Sequence, residues 1–71
     1  MYESHFETIA PTHTKYEGFI IAKGNLYIYQ DGVNIQTHRG WGIFRGAKYL
    51  GFRFTQKAAK NFIDYELSTY A

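Results

Sequence analysis

The stretch FIIAKGNLYIYQDGVNIQ, Phe19 to Gln36, decides how this 71-residue chain is read. Two dipeptides in it, Gly24-Asn25 and Asp31-Gly32, are of the kind that closes a two-residue β-hairpin, and each is flanked by β-branched and aromatic residues. Taken as turns, they predict a meander. Asp31-Gly32 sets Gln30 against Val33, Tyr29 against Asn34, Ile28 against Ile35 and Tyr27 against Gln36. Gly24-Asn25 sets Ile21 against Ile28 and Ala22 against Tyr27. Side chains alternate along a strand, so one face is expected to carry Phe19, Ile21, Leu26, Ile28, Val33 and Ile35 as the core. The other carries Ile20, Ala22, Tyr27, Tyr29, Asn34, Gln36 and His38, half polar and rich in tyrosine.

Outward from this stretch, Gly46-Ala47 predicts a further hairpin that opposes Arg45 to Lys48, Phe44 to Tyr49, Ile43 to Leu50 and Trp41 to Phe52. If another two-residue turn joins His38 to Trp41, those strands conflict with the first ones, because Trp41, Ile43, Leu50, Phe52 and Phe54 would land on the half-polar face. A one-residue register change at Arg39-Gly40 or Gly42 removes the conflict, and glycine suits a strand bend. Residues 55 to about 69 read as a helix. Thr55 is placed to cap it, Gln-Lys-Ala-Ala-Lys favour it, and Ala59, Phe62, Ile63, Leu67 and Tyr70 form its apolar stripe. Lys57, Lys60, Asn61, Asp64 and Ser68 fall on the outer, solvated side. Residues 1–15 fit neither period cleanly, and Pro11 is expected to end whichever element precedes it.

The fold class expected is therefore α+β: an antiparallel meander sheet of four to five strands, residues 16–54, packed against one C-terminal helix, all within a single domain of residues 1–71. At this length one core is the most that can be built. Cysteine is absent, so disulfides cannot supply support, and the compensation is seven Tyr, six Phe and one Trp.

The same composition narrows function. No short His spacing suits a metal, and His5, His13 and His38 are scattered; no metal or cofactor is expected. There is no nucleophile elbow or phosphate loop, and the carboxylates are dispersed, so the reading is of a protein that is not an enzyme. No basic start precedes an apolar run, and no segment is apolar for the length of a membrane span, which makes a cytoplasmic location the expectation.

The net charge of +2 is modest, but six of the eight Lys and Arg lie between Arg39 and Lys60. RGWGIF, Arg39 to Phe44, resembles the octamer of the RNA-recognition motif in its first four positions. It departs at Ile43, Phe44 and Gly46, and the order of the neighbouring strands suits neither that family nor the cold-shock domains. Its structural reading is a glycine-flanked bend that turns Trp41 inward. Leu50-Gly51-Phe52-Arg53-Phe54-Thr55 with Ala58-Ala59 is similar to the end of the three-strand-plus-helix DNA-binding domains of plant transcription factors and integrase arms. That resemblance implies reading of DNA by Arg39, Arg45, Lys48 and Arg53 from the sheet.

Two functions are expected from these residues. The first is nucleic-acid binding by Arg39, Arg45, Lys48, Tyr49, Arg53, Tyr27 and Tyr29, which combine phosphate contact with ring stacking. The second is a phage-type inhibitor or adaptor that covers a protein partner with its Tyr27 and Tyr29 face, or uses that face as a homodimer contact.

Overall fold

The computed structural model describes residues 1–70, with the side chains of Ala10, Pro11, Thr12 and Tyr70 outside that description; the apolar contribution expected of Tyr70 lies there. Four strands, β1 (Tyr2–Tyr16), β2 (Phe19–Gln30), β3 (Val33–Arg45) and β4 (Lys48–Arg53), precede one helix, α1 (Gln56–Tyr70). The strands form one antiparallel sheet in chain order. This is the expected α+β meander with its C-terminal helix.

Residues 1–15 are not an undefined lead-in, since they form most of β1. Pro11 does not end that strand. It falls in the interval between Thr8 and His13 where pairing with β2 is interrupted, a position where an edge strand tolerates a residue without an N–H.

Gly24-Asn25 is not a turn. β2 passes straight through it for twelve residues, and neither residue has the positive φ that a two-residue hairpin turn demands. The first turn is Glu17-Gly18, with φ of 52° and 84°, the same conformation that Asp31-Gly32 adopts at 52° and 84°. Gly46, with φ 62°, opens the third turn as expected. The expected pairs Gln30–Val33, Tyr29–Asn34, Phe44–Tyr49 and Arg45–Lys48 are all present.

The register changes lie elsewhere than Arg39 to Gly42. One extra residue, Ile35, intervenes between the Tyr29–Asn34 and Ile28–Gln36 pairs, so Ile28 does not meet Ile35 and Tyr27 meets Thr37. A second, Leu50, intervenes between Phe44–Tyr49 and Ile43–Gly51, so Ile43 does not meet Leu50 and Trp41 meets Arg53 instead of Phe52.

A straight β2 also re-sorts the faces. Phe19, Ile21, Lys23, Asn25, Tyr27 and Tyr29 now share the face that α1 covers at one end, together with their partners Ile43, Trp41, Arg39 and Thr37. Trp41 and Ile43 reach the core side with no bend between them. Phe19, Ile21, Ile43, Ala59 and Ile63 are the buried cluster, with Tyr16, Trp41, Leu50 and Phe62 packed around it. Leu26 and Ile28, expected in that core, lie on the opposite face and are half-buried, while Val33 and Ile35 are exposed.

Thr55 caps the helix as its sequence indicates. Its Oγ1 accepts a hydrogen bond from the Ala58 N–H at 3.0 Å, and its carbonyl accepts one from the Ala59 N–H at 3.1 Å. Two side-chain hydrogen bonds tie α1 to β1: Gln56 Nε2 donates to Thr14 Oγ1 at 2.8 Å, and Tyr16 Oη donates to Asp64 Oδ1 at 2.8 Å. The second bond is the main reason that the Tyr16 phenol is held above the usual tyrosine range. Folded Tyr16 thus keeps its proton more tightly than the unfolded chain does. The contribution is complete below about pH 10 and is lost as pH rises through the raised folded value. In a phenolate absorbance titration, Asp64→Ala is expected to bring one tyrosine back toward its ordinary pKa; an unchanged curve would remove this role for Asp64.

The face away from the helix holds a second cluster. Phe6 of β1 stacks on Tyr49 of β4 with centroids 5.7 Å apart and planes at 15°. In a flat sheet those outer strands would stand about 14 Å apart. The sheet therefore curls toward this face as a half-barrel. Phe6 also meets Phe44 at 5.8 Å and Phe52 at 6.0 Å, and Phe54 meets Phe52 at 5.4 Å and His38 at 5.5 Å. The floor beneath these rings is glycine. A Cβ on Gly42 would lie 2.5 Å from the Phe6 ring, and one on Gly40 would lie 2.5 Å from both the Phe52 ring and the Arg53 carbonyl oxygen. The glycines of RGWGIF serve close approach, not a bend.

Candidate functional site

Strand pairing decides which of the expected residues meet. Arg39 pairs with Asn25, Trp41 with Lys23 and with Arg53, and Arg45 with Lys48, all on the helix-side face. Tyr27 and Tyr29 are two and four residues beyond Asn25 on β2 and share that face. Arg39, Arg45, Lys48, Arg53, Tyr27 and Tyr29 are therefore brought to one side of the sheet. Tyr49 is not among them. The extra residue at Leu50 reverses the alternation along β4, so Tyr49 points to the aromatic cluster while Arg53 points to the helix side. Burial is the larger influence on the Tyr49 phenol and raises its pKa; the Arg53 charge acts in the opposite sense.

The cations on this side differ in what surrounds them. The Arg45 guanidinium carbon lies 5.4 Å from the centroid of the Phe19 ring, and that of Arg53 lies 4.7 Å from Phe62. Both guanidinium groups roof the rim of the helix–sheet core, and Arg53 Nη1 also donates to the Phe52 carbonyl at 2.7 Å. Lys48 is exposed at the hairpin tip opposite Arg45. Arg39 is exposed on the part of β3 that projects past the helix, beside half-buried Tyr27. Asn25 Nδ2 donates to the Tyr27 hydroxyl at 3.3 Å and fixes that ring beside it.

Lys23 is the residue that sequence reasoning missed. Its Nζ stands 6.0 Å from the half-buried Trp41 ring, and it joins Arg39 and Arg53 into a basic run around that indole. Reading Gly24-Asn25 as a turn hid it, because Lys23 then sits at a hairpin tip opposite Leu26 and not beside Trp41. With Lys23 included, the helix side of the sheet carries five cations: Lys23, Arg39, Arg45, Lys48 and Arg53. Among the described residues, none of them forms an ion pair; the Met1 amino group pairs with Asp31 at 3.1 Å, and His5 Nε2 lies 3.7 Å from Glu7 Oε2, a pair of charges only when the imidazole is protonated. Glu3 and Glu7 share this face on β1, two strands from Arg39 but on the strand next to Lys23, with Glu7 opposite Asn25.

The arrangement can do two things chemically. Five exposed cations without an ion-pair partner among the described residues offer phosphate contacts, and Trp41 between Lys23 and Arg53, with Tyr27 and Tyr29 beyond Arg39, offers ring faces or edges. No helix is long and apolar enough to cross a membrane, and among the described residues no group of three or more His, Cys, Asp or Glu is placed to hold a metal ion. No known protein family, curated protein or solved structure matches the chain.

Proposed function

We propose that this chain is a small non-catalytic module that binds nucleic acid through the helix-side face of its sheet. The observation that carries the reading is that register puts Lys23, Arg39, Arg45, Lys48 and Arg53 on one face without an ion-pair partner among the described residues, with Trp41 between Lys23 and Arg53, Tyr27 and Tyr29 beyond Arg39, and the helix-covered Ile21–Ile43 row separating Arg45 and Lys48 from the rest. Cations left without carboxylates keep their full attraction for phosphate, and rings between them are sequence-tolerant stacking partners. Arg39 and Lys23 are the primary phosphate contacts, because Arg45 and Arg53 are already engaged with rings of the core. Tyr49 is not part of this surface.

A labelled single strand and a labelled duplex, each titrated at about 50 and 200 mM salt, test the proposal. With two to three phosphates neutralised, affinity is expected to fall by roughly tenfold between those conditions. The double variant Lys23→Glu/Arg39→Glu is expected to lose at least tenfold at the lower salt while its thermal melt stays in place. No binding of either probe at low salt would overturn the reading. Capture of a protein partner through Tyr27 and Tyr29, unaffected by the charge reversals, would favour the inhibitor or adaptor instead.

A further inference from the structure

We propose that the concave, helix-free face of the sheet is a homodimer interface, occupied by a second copy of this chain. Charge distribution is the first argument. Among the Lys, Arg, Asp and Glu residues of the strands, register places Lys15 alone on this face, whereas Glu3, Glu7, Lys23, Arg39, Arg45, Lys48 and Arg53 fall on the other. A face so nearly free of charge offers nothing to phosphate and nothing to an acidic or basic partner. It can meet its own copy without repulsion, which the basic face cannot.

Area is the second. Tyr49 and Phe54, 40% and 65% exposed, flank the half-buried Phe6 and Phe52 rings, and Tyr2 and Val33, 68% and 63% exposed, lie at the far end of the same face beyond Ser4, Ile28 and Gln36. Those four leave on the order of 500 Å² of accessible surface along the length of the face. With the half-buried neighbours the total reaches about 800 Å², the share that each partner gives to a standard interface. Phe6 and Phe52 already rest on the glycine floor of the concavity, so a second copy meets rings that are packed in place. A third argument is size, since small domains with a limited core commonly gain stability by association, and among the described residues the buried hydrophobic ones are six.

Sedimentation equilibrium from low micromolar to several hundred micromolar protein tests this. The wild-type mass is expected to rise from 8.3 kDa toward twice that value. Phe54→Glu changes a ring outside the helix–sheet core and is expected to weaken association at least tenfold while far-UV circular dichroism and thermal melt report a folded chain. Val33→Lys gives the same readout from another site if Phe54→Glu fails to fold. Arg39→Glu, on the opposite face, is expected to leave the mass unchanged. A wild-type monomer at every concentration, dimers retained by the folded variants, or a dimer broken by Arg39→Glu would each overturn the proposal. None of these outcomes bears on nucleic-acid binding, which uses the other face.

Discussion

Gly24→Ala is expected to cost about 3 kcal/mol, a third or more of the stability of a chain this size, which falls in the range of roughly 4–10 kcal/mol. Substituting alanine for a strand glycine usually helps, because glycine loses more backbone freedom on folding. Here the sign reverses. A Cβ at Gly24 would collide with the Glu7 carbonyl oxygen and would lie 2.6 Å from the tip of the Phe6 ring. The ring can swing, but the Glu7 carbonyl belongs to the β1 backbone and moves only if the β1–β2 pairing opens. Gly18→Ala is the informative contrast. It has φ 84° yet nothing within 4 Å of its Cβ position, so its cost is local backbone strain of about 1 kcal/mol. Urea unfolding at constant slope measures both. Equal losses at Gly24 and Gly18 would mean that close packing is not what Gly24 serves.

The same residue explains how far the sequence could be read. A glycine followed by asparagine is compatible with a turn and with a close approach of backbones, and one sequence holds no mark that separates them. Asp31-Gly32 and Gly46-Ala47 were legible because there the glycine does take positive φ. Glu17-Gly18 was not, because glutamate rarely occupies a left-handed position. The helix was legible from Thr55, whose cap hydrogen bonds are local and therefore written in adjacent residues. Single-residue insertions at Ile35 and Leu50 left no trace in the pattern, since an apolar residue there looks like any other strand residue.

The candidate site inherits these successes and failures. Arg39 and Arg45 share a face because β3 runs between them without the register change expected at Arg39-Gly40 or Gly42, so plain alternation holds. Tyr49 and Arg53 also share parity, yet the insertion at Leu50 sends them to opposite faces. Lys23 and the apolar concave face became visible only once β2 was known to be continuous. The two faces that support different proposals are thus consequences of one glycine being strand and not turn.

Ile43→Ala is expected to cost about 3–4 kcal/mol and to leave much of the population unfolded under mild conditions. Ile43 is wholly inaccessible, pairs in register with Ile21 on β2 and with Gly51 on β4, and lies in one cluster with Phe19, Ala59 and Ile63. It is the central strand's contribution to the helix–sheet core. Truncation removes three carbons of side chain and leaves a cavity that rigid neighbours on three elements cannot refill. Val33→Ala, which truncates a β-branched residue of the same strand at 63% exposure, is expected to stay within about 0.5 kcal/mol of the parent. The comparison separates core from surface within β3, and it also bears on function. Ile43→Ala is expected to lose nucleic-acid binding and dimerisation together, in proportion to the unfolded fraction, because both faces depend on the same sheet. Lys23→Glu/Arg39→Glu and Phe54→Glu should each remove one activity from a folded protein. If Ile43→Ala lost less than 1 kcal/mol by urea unfolding, the core would have to be centred elsewhere than on the Ile21–Ile43 pair.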